Sequence, residues 1–375
     1  MPMKLSLLQE NLNLALGNVS RFVSSKSQLP ILNNILLSTD QGRLKLSATN
    51  LDLSINYWIG AKIEEEGSIT IPSKEITEFI SYLPTGKLDL SVKENNLLTL
   101  SSEKTESNFT TMPAVDFPEF PSINPDTAFE IDLDVLTQAI SQIAFSAALD
   151  DSRPVLTAIL CQFSNDNLTL VATDGFRLSF KKIKLSNSLN LKTDKPITFL
   201  IPAKSLIEIT KLAKNNKKIK IGLTSDEHQV VFILDDVELV SRLIEGDYPD
   251  YQKIIPESYN TKIYVNRDEF FQSVKIASVF AKESANVVRI NIKSGILELS
   301  ANAPQIGQNK ASVDAKIEGE NLDIAFNYKF LTDFLTICKS PEILIELNEN
   351  LTPGFFHDQS DPSFTHIIMP VRLQD

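Results

Sequence analysis

A chain of 375 residues that is 42% apolar exceeds what one hydrophobic core usually serves, so two or three domains are expected. Its net charge of −12 excludes a protein that coats nucleic acid with overall positive charge, and any phosphate-binding cluster has to be local. No stretch approaches the ~18 consecutive apolar residues of a membrane helix, and the amino end Met1-Pro2-Met3-Lys4 lacks a secretory pattern, so a soluble, cytoplasmic protein is expected.

In chain order, the first signals are a strand-like alternation and an amphipathic helix between Lys4 and Ser24, with Leu8, Leu12, Leu16, Val19 and Val23 at helical spacing. A strand pair follows, turning at Gln41-Gly42 and ending in Ser47-Ala48-Thr49-Asn50. A second helix is predicted after Ile71-Pro72-Ser73-Lys74, then another strand pair turning at Asn95-Asn96. The same order returns from Phe129 to Ala148, with turns at Asp166-Asn167 and Asp226-Glu227 and a helix entrance at Ile201-Pro202-Ala203-Lys204. It returns again from Lys262 to Lys282, with turns at Ser294-Gly295 and Glu349-Asn350 and an entrance at Phe326-Asn327-Tyr328-Lys329. Asp116-Phe117-Pro118-Glu119-Phe120 and Asp247-Tyr248-Pro249-Asp250-Tyr251 close the first two copies alike.

The chain therefore reads as three α+β repeats, each with two helices and about eight strands, over residues 1–127, 128–260 and 261–375. Repetition by itself fits an open tandem scaffold as well as a closed ring. Cys161 and Cys338 are far apart in apolar surroundings and are expected as buried thiols rather than a disulfide or zinc framework.

Four segments narrow the choice: Leu29-Pro30-Ile31-Leu32-Asn33-Asn34-Ile35-Leu36-Leu37, Arg153-Pro154-Val155-Leu156, Val171-Ala172-Thr173-Asp174-Gly175-Phe176-Arg177-Leu178, and Met369-Pro370-Val371-Arg372-Leu373. In these, in their order and in the triplication, the chain resembles the bacterial sliding clamp family, the beta subunit of DNA polymerase III. The resemblance implies a homodimeric ring of six domains, helices inside and sheets outside, that encircles duplex DNA and needs no cofactor, metal or membrane. It implies as partners the DNA polymerase III catalytic subunit, the clamp loader, other polymerases and repair proteins.

Charge placement agrees with a positive interior. The six helical windows carry a net +5 and the rest of the chain −17. Most of the excess lies in one predicted helical window, with Lys204, Lys211, Lys214, Lys217 and Lys218, which together with the loop residue Lys26 are the candidate DNA contacts; a lysine-rich solvated face is the plain alternative. The resemblance also implies a pocket for short partner peptides, at Arg153, Leu156, Thr173, Gly175, Phe176, Arg177, Leu178, Pro249, Lys253, Ile254, Asn327, Phe330, Leu351, Pro353, Ile367, Met369, Pro370, Val371, Arg372 and Leu373. Apolar walls with an orienting guanidinium suit an extended peptide. Phe176 stands where the family often has histidine, and Lys253 where it often has arginine. The resemblance further implies a subunit joint between Ser107 to Met112, including Phe109, and Asn309 to Val313, including Ala311, with Val279 and Phe280 beside it.

An enzyme would need a catalytic constellation. His228, His357 and His366 lack metal-ligand spacing and no Gly-rich phosphate loop is present; a nuclease reading would have to use paired acids such as Asp150-Asp151. No catalytic site is expected.

Overall fold

The computed structural model describes all residues except 1–2, 25–28, 94–96, 186, 187, 190, 192–195, 214, 215 and 373–375. The Asn95-Asn96 turn, Lys26, Lys214 and Leu373 lie outside the described residues.

The first repeat runs β1 (Met3–Leu8), α1 (Gln9–Val19), β2 (Asn34–Asp40), β3 (Arg43–Thr49), β4 (Leu53–Gly60), β5 (Lys62–Glu65) and β6 (Ser68–Pro72). It ends with α2 (Ser73–Tyr82), β7 (Lys87–Lys93), β8 (Leu97–Ser101) and β9 (Glu106–Thr110). The second runs β10 (Phe129–Asp132), α3 (Leu133–Ile143), β11 (Ala158–Phe163), β12 (Asn167–Thr173), β13 (Arg177–Lys184) and β14 (Ile197–Pro202). Then come α4 (Ala203–Leu212), β15 (Lys218–Leu223), β16 (Gln229–Ile233) and β17 (Val237–Arg242). The third has β18 (Thr261–Asn266), α5 (Arg267–Ala281), β19 (Val287–Lys293), β20 (Ile296–Ala303), β21 (Gly307–Gly319) and β22 (Leu322–Asn327). It closes with α6 (Tyr328–Ile337), β23 (Glu342–Leu347), β24 (Gly354–Asp358) and β25 (Phe364–Ile368). The three repeats are thus α+β domains with two helices and eight or nine strands each.

Local chemistry sets the element ends. Asn266 caps α5 by accepting from the amides of Asp268 and Glu269, and Asn327 caps α6 by accepting from Lys329. At α2 the capping residue is Pro72, and Ser73 begins the helix without a side-chain cap. Gln41, Gly42 and Gly295 take the positive φ expected of their turns. The β11–β12 turn differs: Asn167 already belongs to β12 with ordinary φ, and Asn165-Asp166 make the bend.

The lysine-rich helix is shorter than its charge pattern suggests. α4 stops at Leu212; Lys217 is in a turn, and Lys218 opens β15, where it sits opposite Asp132. The alternation Lys218-Ile219-Lys220-Ile221 has period two and buries Ile219 and Ile221, which fixes a strand whatever the charge count.

By compactness the chain forms two units, residues 1–136 with 208–243 and residues 137–207 with 244–375, which divide the second repeat. The reason is backbone pairing. In the first unit β17 pairs with β4, producing the eight-stranded order β10-β15-β16-β17-β4-β3-β2-β6 beside the five-stranded β5-β1-β7-β8-β9. In the second unit β13 pairs with β25 inside the twelve-stranded order β14-β11-β12-β13-β25-β24-β23-β18-β21-β20-β19-β22. Each seam joins strands of successive repeats into one sheet. Helices cover one sheet face: α1 packs on α2 and on β3 and β4, and α5 packs on α6, β20 and β21.

Candidate functional site

The second unit gathers most of the expected peptide pocket. Its floor is a buried cluster of Leu160, Val171, Leu178, Phe355 and Ile367, against which Phe180, Leu200, Tyr248, Tyr251, Ile255 and Tyr259 pack. Leu178 lies opposite Ile367 in the β13–β25 seam, so one pair of strands supplies the centre of the floor. Large apolar side chains remain exposed around it, Phe176 at 62%, Leu351 at 55%, Ile254 at 39% and Met369 at 38%. Exposed apolar residues of this size around a packed apolar floor are uncommon on a monomer's surface.

The β12–β13 turn is a rigid edge of this surface. Asp174 accepts from the backbone amides of Phe176 and Arg177 and from Arg177 Nε at 3.1 Å, while Thr173 Oγ1 donates to the Arg177 carbonyl at 2.6 Å. Gly175 takes φ +89°, and a Cβ there would stand 2.8 Å from Arg153 Nη1. The positive φ is what requires glycine, and a side chain there would also push the Arg153 head aside. Arg153 donates through Nη2 to the Asp174 carbonyl, and its guanidinium lies against the turn.

Arg177 links the turn to α6. Its guanidinium stands over the rings of Phe330 at 4.6 Å and Phe145 at 5.3 Å and pairs with Asp333. The carboxyl-terminal segment is tied down as well: the Met369 amide donates to the Phe176 carbonyl and the Val371 amide to Ala325. Arg372 is exposed, Pro370 and Val371 are half-buried, and Asn327 serves its cap. Pro353 and Leu351 lie in the turn before β24, which pairs with β25. Leu156 is buried at the end of a short turn of helix, Pro154–Thr157. Pro249 is exposed, and Lys253, also exposed, pairs with Asp250 at 3.2 Å.

Several residues of this unit have roles that the sequence did not assign to them. Asp174 is the organiser of the turn, and Tyr248 and Tyr251 cover the floor, Tyr248 donating to the Val171 carbonyl. Beneath the seam Lys181 is buried, bound to Asp361 and to Gln142 Oε1 at 2.6 Å. Burial alone would raise the Asp361 carboxyl; hydrogen bonds from Lys181, Ser363 and Gln142 outweigh it and hold the group below its ordinary value. Beside it Ser146, Ser179 and His366 form a buried hydrogen-bonded chain with links of 2.8 and 2.7 Å. Burial, then the nearby Arg177 charge, pushes the His366 imidazole down to about 3.

Of the candidate basic residues, Lys204 and Lys217 are exposed. Lys211 pairs with Glu208 at 2.7 Å, a carboxylate that also takes Arg21 at 3.0 Å, and Lys218 pairs with Glu130 at 3.4 Å. The cluster is thus partly neutralised by its own neighbours. Cys161 and Cys338 are buried free thiols, both pushed up by burial.

The expected joint residues occupy two strand edges. Among the described residues β9 pairs only with β8, and Phe109 packs edge-on against Phe79 at 5.2 Å. Met112 is bridged to Thr70 of its own chain. In β21, among the described residues, 307–314 pair only with β20, whereas 315–319 pair with β18. Val313 is buried within its own chain, Ala311 and Phe280 are half-buried, and Val279 is 58% exposed.

Comparison with known proteins covers the whole chain. Models of the N-terminal, central and C-terminal domains of the DNA polymerase III beta subunit match residues 3–121, 130–250 and 252–372. The beta sliding clamp of Bacillus subtilis is 31% identical over 99% of this chain and 100% of its own, and that of Staphylococcus aureus is 29% identical over 95% and 96%. Among solved structures, the Bacillus subtilis DNA polymerase sliding clamp superposes with a TM-score of 0.93 at 30% identity, covering all of both chains. The Thermotoga maritima beta subunit gives 0.91 at 28%, covering 99% of this chain and 100% of its own. Matched from end to end, repeat for repeat, the chain belongs to the DNA polymerase III beta subunit family, the bacterial sliding clamps.

Proposed function

We propose that two copies of this chain close into a ring around duplex DNA and tether the replicative polymerase there, with no catalytic step of their own. The observation that carries the reading is the incomplete set of seams. β4 and β13 are equivalent strands of successive repeats and are paired by β17 and β25, the last strands of the repeats that follow. The third strand of that kind, the first half of β21, and the third terminal strand, β9, each keep an open edge. Two copies can satisfy both of these edges twice, leaving neither of the two open and ending assembly at two.

DNA would be held topologically, with Lys204, Lys211, Lys217 and Lys218, and Lys26 and Lys214 from outside the described residues, giving contacts to phosphate rather than to bases. The apolar floor at the β13–β25 seam would take short motifs of the polymerase catalytic subunit, the clamp loader, other polymerases and repair proteins. The domain limits at residues 127 and 260 belong to the same reading. No described helix is long and apolar enough to cross a membrane, in keeping with work on cytoplasmic DNA.

The test is topological. The chain should run as a dimer of about 84 kDa, twice its 41.8 kDa mass. After loading it should stay on nicked circular DNA and leave within minutes of linearisation. A tandem scaffold would show neither retention nor release, and a nuclease using Asp150-Asp151 would cut the circle in the presence of a divalent metal. Truncation after Ile368 should leave dimer and retention intact while abolishing capture of a polymerase motif peptide. Equal peptide binding by the truncated ring would move the pocket elsewhere.

A further inference from the structure

We propose that the first unit carries a peptide site of its own, a cleft over the β4–β17 seam that takes a short extended segment with a carboxamide side chain at its centre. The proposal draws on the reading above only for its comparison with the apolar floor, and it stands whether or not two copies close on DNA.

The strand registers align the first two repeats residue by residue. Ala48 and Ala172 lie opposite Ile55 and Ser179, which face Leu239 and His366 across their seams. One residue along, Ser47 opposite Asn56 takes the place of Val171 opposite Phe180. Leu36, opposite Ser47, takes that of Leu160, opposite Val171. The matching segments Asp116-Phe117-Pro118-Glu119-Phe120 and Asp247-Tyr248-Pro249-Asp250-Tyr251 put Phe117 in the place of Tyr248 and Phe120 in that of Tyr251. Leu160, Val171, Phe180, Tyr248 and Tyr251 all belong to the apolar floor of the second unit, and all five of their counterparts line one cavity of about 610 Å³ in the first. That volume is in the range of a site for a small ligand or a few peptide residues. At its centre serine and asparagine are smaller than the valine and phenylalanine of the second unit, which leaves room there.

The wall and the floor of this cleft differ in chemistry. Phe117 is anchored in a buried cluster with Ile31 and Leu32, against which Leu36 and Phe120 pack, so the wall is a fixed apolar surface. Val115, 85% exposed, extends it. The floor is Ser47 and Asn56, both more than nine-tenths buried. Ser47 donates to Asn56 Oδ1 at 2.6 Å, and Asn56 Nδ2 donates to Glu238 at 3.2 Å. The second amide hydrogen of Asn56 and the lone pairs of the Ser47 hydroxyl then offer a donor and an acceptor side by side. Ser38 lines the same cavity, and its Oγ is buried with no hydrogen-bond partner in the chain. A carboxamide both donates and accepts, as this floor requires; a carboxylate only accepts, and an apolar side chain would shut the floor groups away from water unpaired. Charge on the lining does not override this, because Lys45 and Glu119 are opposite in sign and Lys45 already has Asp40 at 3.7 Å. In an extended chain, residues two apart face the same way, so apolar side chains on either side of the amide would meet Leu36 and Phe120.

Fluorescence polarisation with labelled pentapeptides tests this on the full chain. Leu-Gly-Asn-Gly-Val should bind saturably, and Leu-Gly-Leu-Gly-Val and Leu-Gly-Asp-Gly-Val at least about five-fold more weakly, since each leaves floor groups unpaired. Ser47→Val with Asn56→Leu should reverse the order of the first two, with the fold followed by circular dichroism. Truncation after Ile368 should leave the binding of the asparagine peptide unchanged. Equal binding of the three peptides by the wild-type chain, or no saturation by the asparagine peptide below about 5 mM, overturns the proposal without any variant having to fold. An unchanged order in the floor variant overturns it as well. Loss of binding on truncation would assign the peptide to the β13–β25 floor, and displacement by a deoxynucleoside monophosphate would make the cleft a nucleotide site; either result defeats the proposal. The readout is peptide binding and not retention on circular DNA, so failure of the ring and failure of this cleft are told apart.

Discussion

The β4–β17 and β13–β25 seams join equivalent strands in equivalent registers, yet their faces differ in chemistry. In the first, Asn56 and Glu238 meet on the face where the second has Phe180 and Thr365. Ser47 stands there where the second has Val171, and donates to Asn56 at 2.6 Å. A cavity of about 610 Å³ over that polar floor is lined by Ser38, Ser47, Asn56, Ser68, Phe117 and Phe120 among others. The second seam reverses the arrangement: its open face is apolar, and its polar groups Lys181, Asp361, Ser179 and His366 are buried beneath. One backbone frame thus carries polar groups on its face in one place and apolar ones in another. Backbone pairing fixes the architecture, and the side chains at a few seam positions set the chemistry of its surface.

The largest effect on that contrast should come from Lys181. Replacing it with Met leaves the Asp361 carboxylate buried without its cation, which costs about 3–5 kcal/mol. The double change Lys181→Met, Asp361→Leu should regain most of this, because a buried pair can be replaced by packed apolar groups at little cost. The equivalent position in the first seam, Tyr57, should tolerate Phe with little loss. Denaturant midpoints of the four proteins measure this; a neutral Lys181→Met would mean that water reaches the site.

These differences show what a sequence conveys. The repeat was legible because strand alternation and helical spacing recur with the same punctuation, and apolar burial obeys that periodicity in all three copies. The apolar floor was legible in part, since Val171 and Leu178 stand in a distinctive segment. Lys181 was not, because Lys181-Lys182 reads as a solvated strand end, and its burial comes with pairing to β25 and with Asp361, 180 residues away. The end of α4 was misjudged for a related reason: lysines continue past Leu212, and charge does not distinguish a helix from the strand that follows. Nor could local pattern reveal β17 beside β4, a pairing made between residues far apart in the chain.

A middle-sized effect is expected from acid. His366 has an unfolded value near 6.5 and a folded one of about 3, so between these limits the unfolded chain binds a proton that the folded chain refuses. Stability therefore rises with pH across that window and falls as pH drops through it. His357, also held down chiefly by burial, acts in the same direction. Melting temperatures from pH 7 to 4.5 should fall steeply for the wild type and less steeply for His366→Gln, whatever its absolute stability. His357→Gln should flatten the curve less, and an unchanged slope in His366→Gln would place the acid sensitivity elsewhere.

The smallest effect should come from the first seam. Arg43 pairs with Asp236 at 2.7 Å and stands 5.7 Å from the Trp58 ring, while the Trp58 amide donates to the Asp236 carbonyl. The backbone bond holds the strands regardless of the ion pair, whose partners are 37% and 61% exposed. Water and salt screen such a pair, so Arg43→Ala should cost under about 1 kcal/mol. Part of that small cost is packing rather than charge, since the guanidinium covers the indole face. Arg43→Met should therefore recover some of the loss, and Asp236→Asn should cost less than Arg43→Ala. Salt should narrow the gap between wild type and Asp236→Asn but leave the gap to Arg43→Ala partly open. If salt closed both gaps equally, Arg43 would act through charge alone, and the indole contact would contribute nothing to the seam.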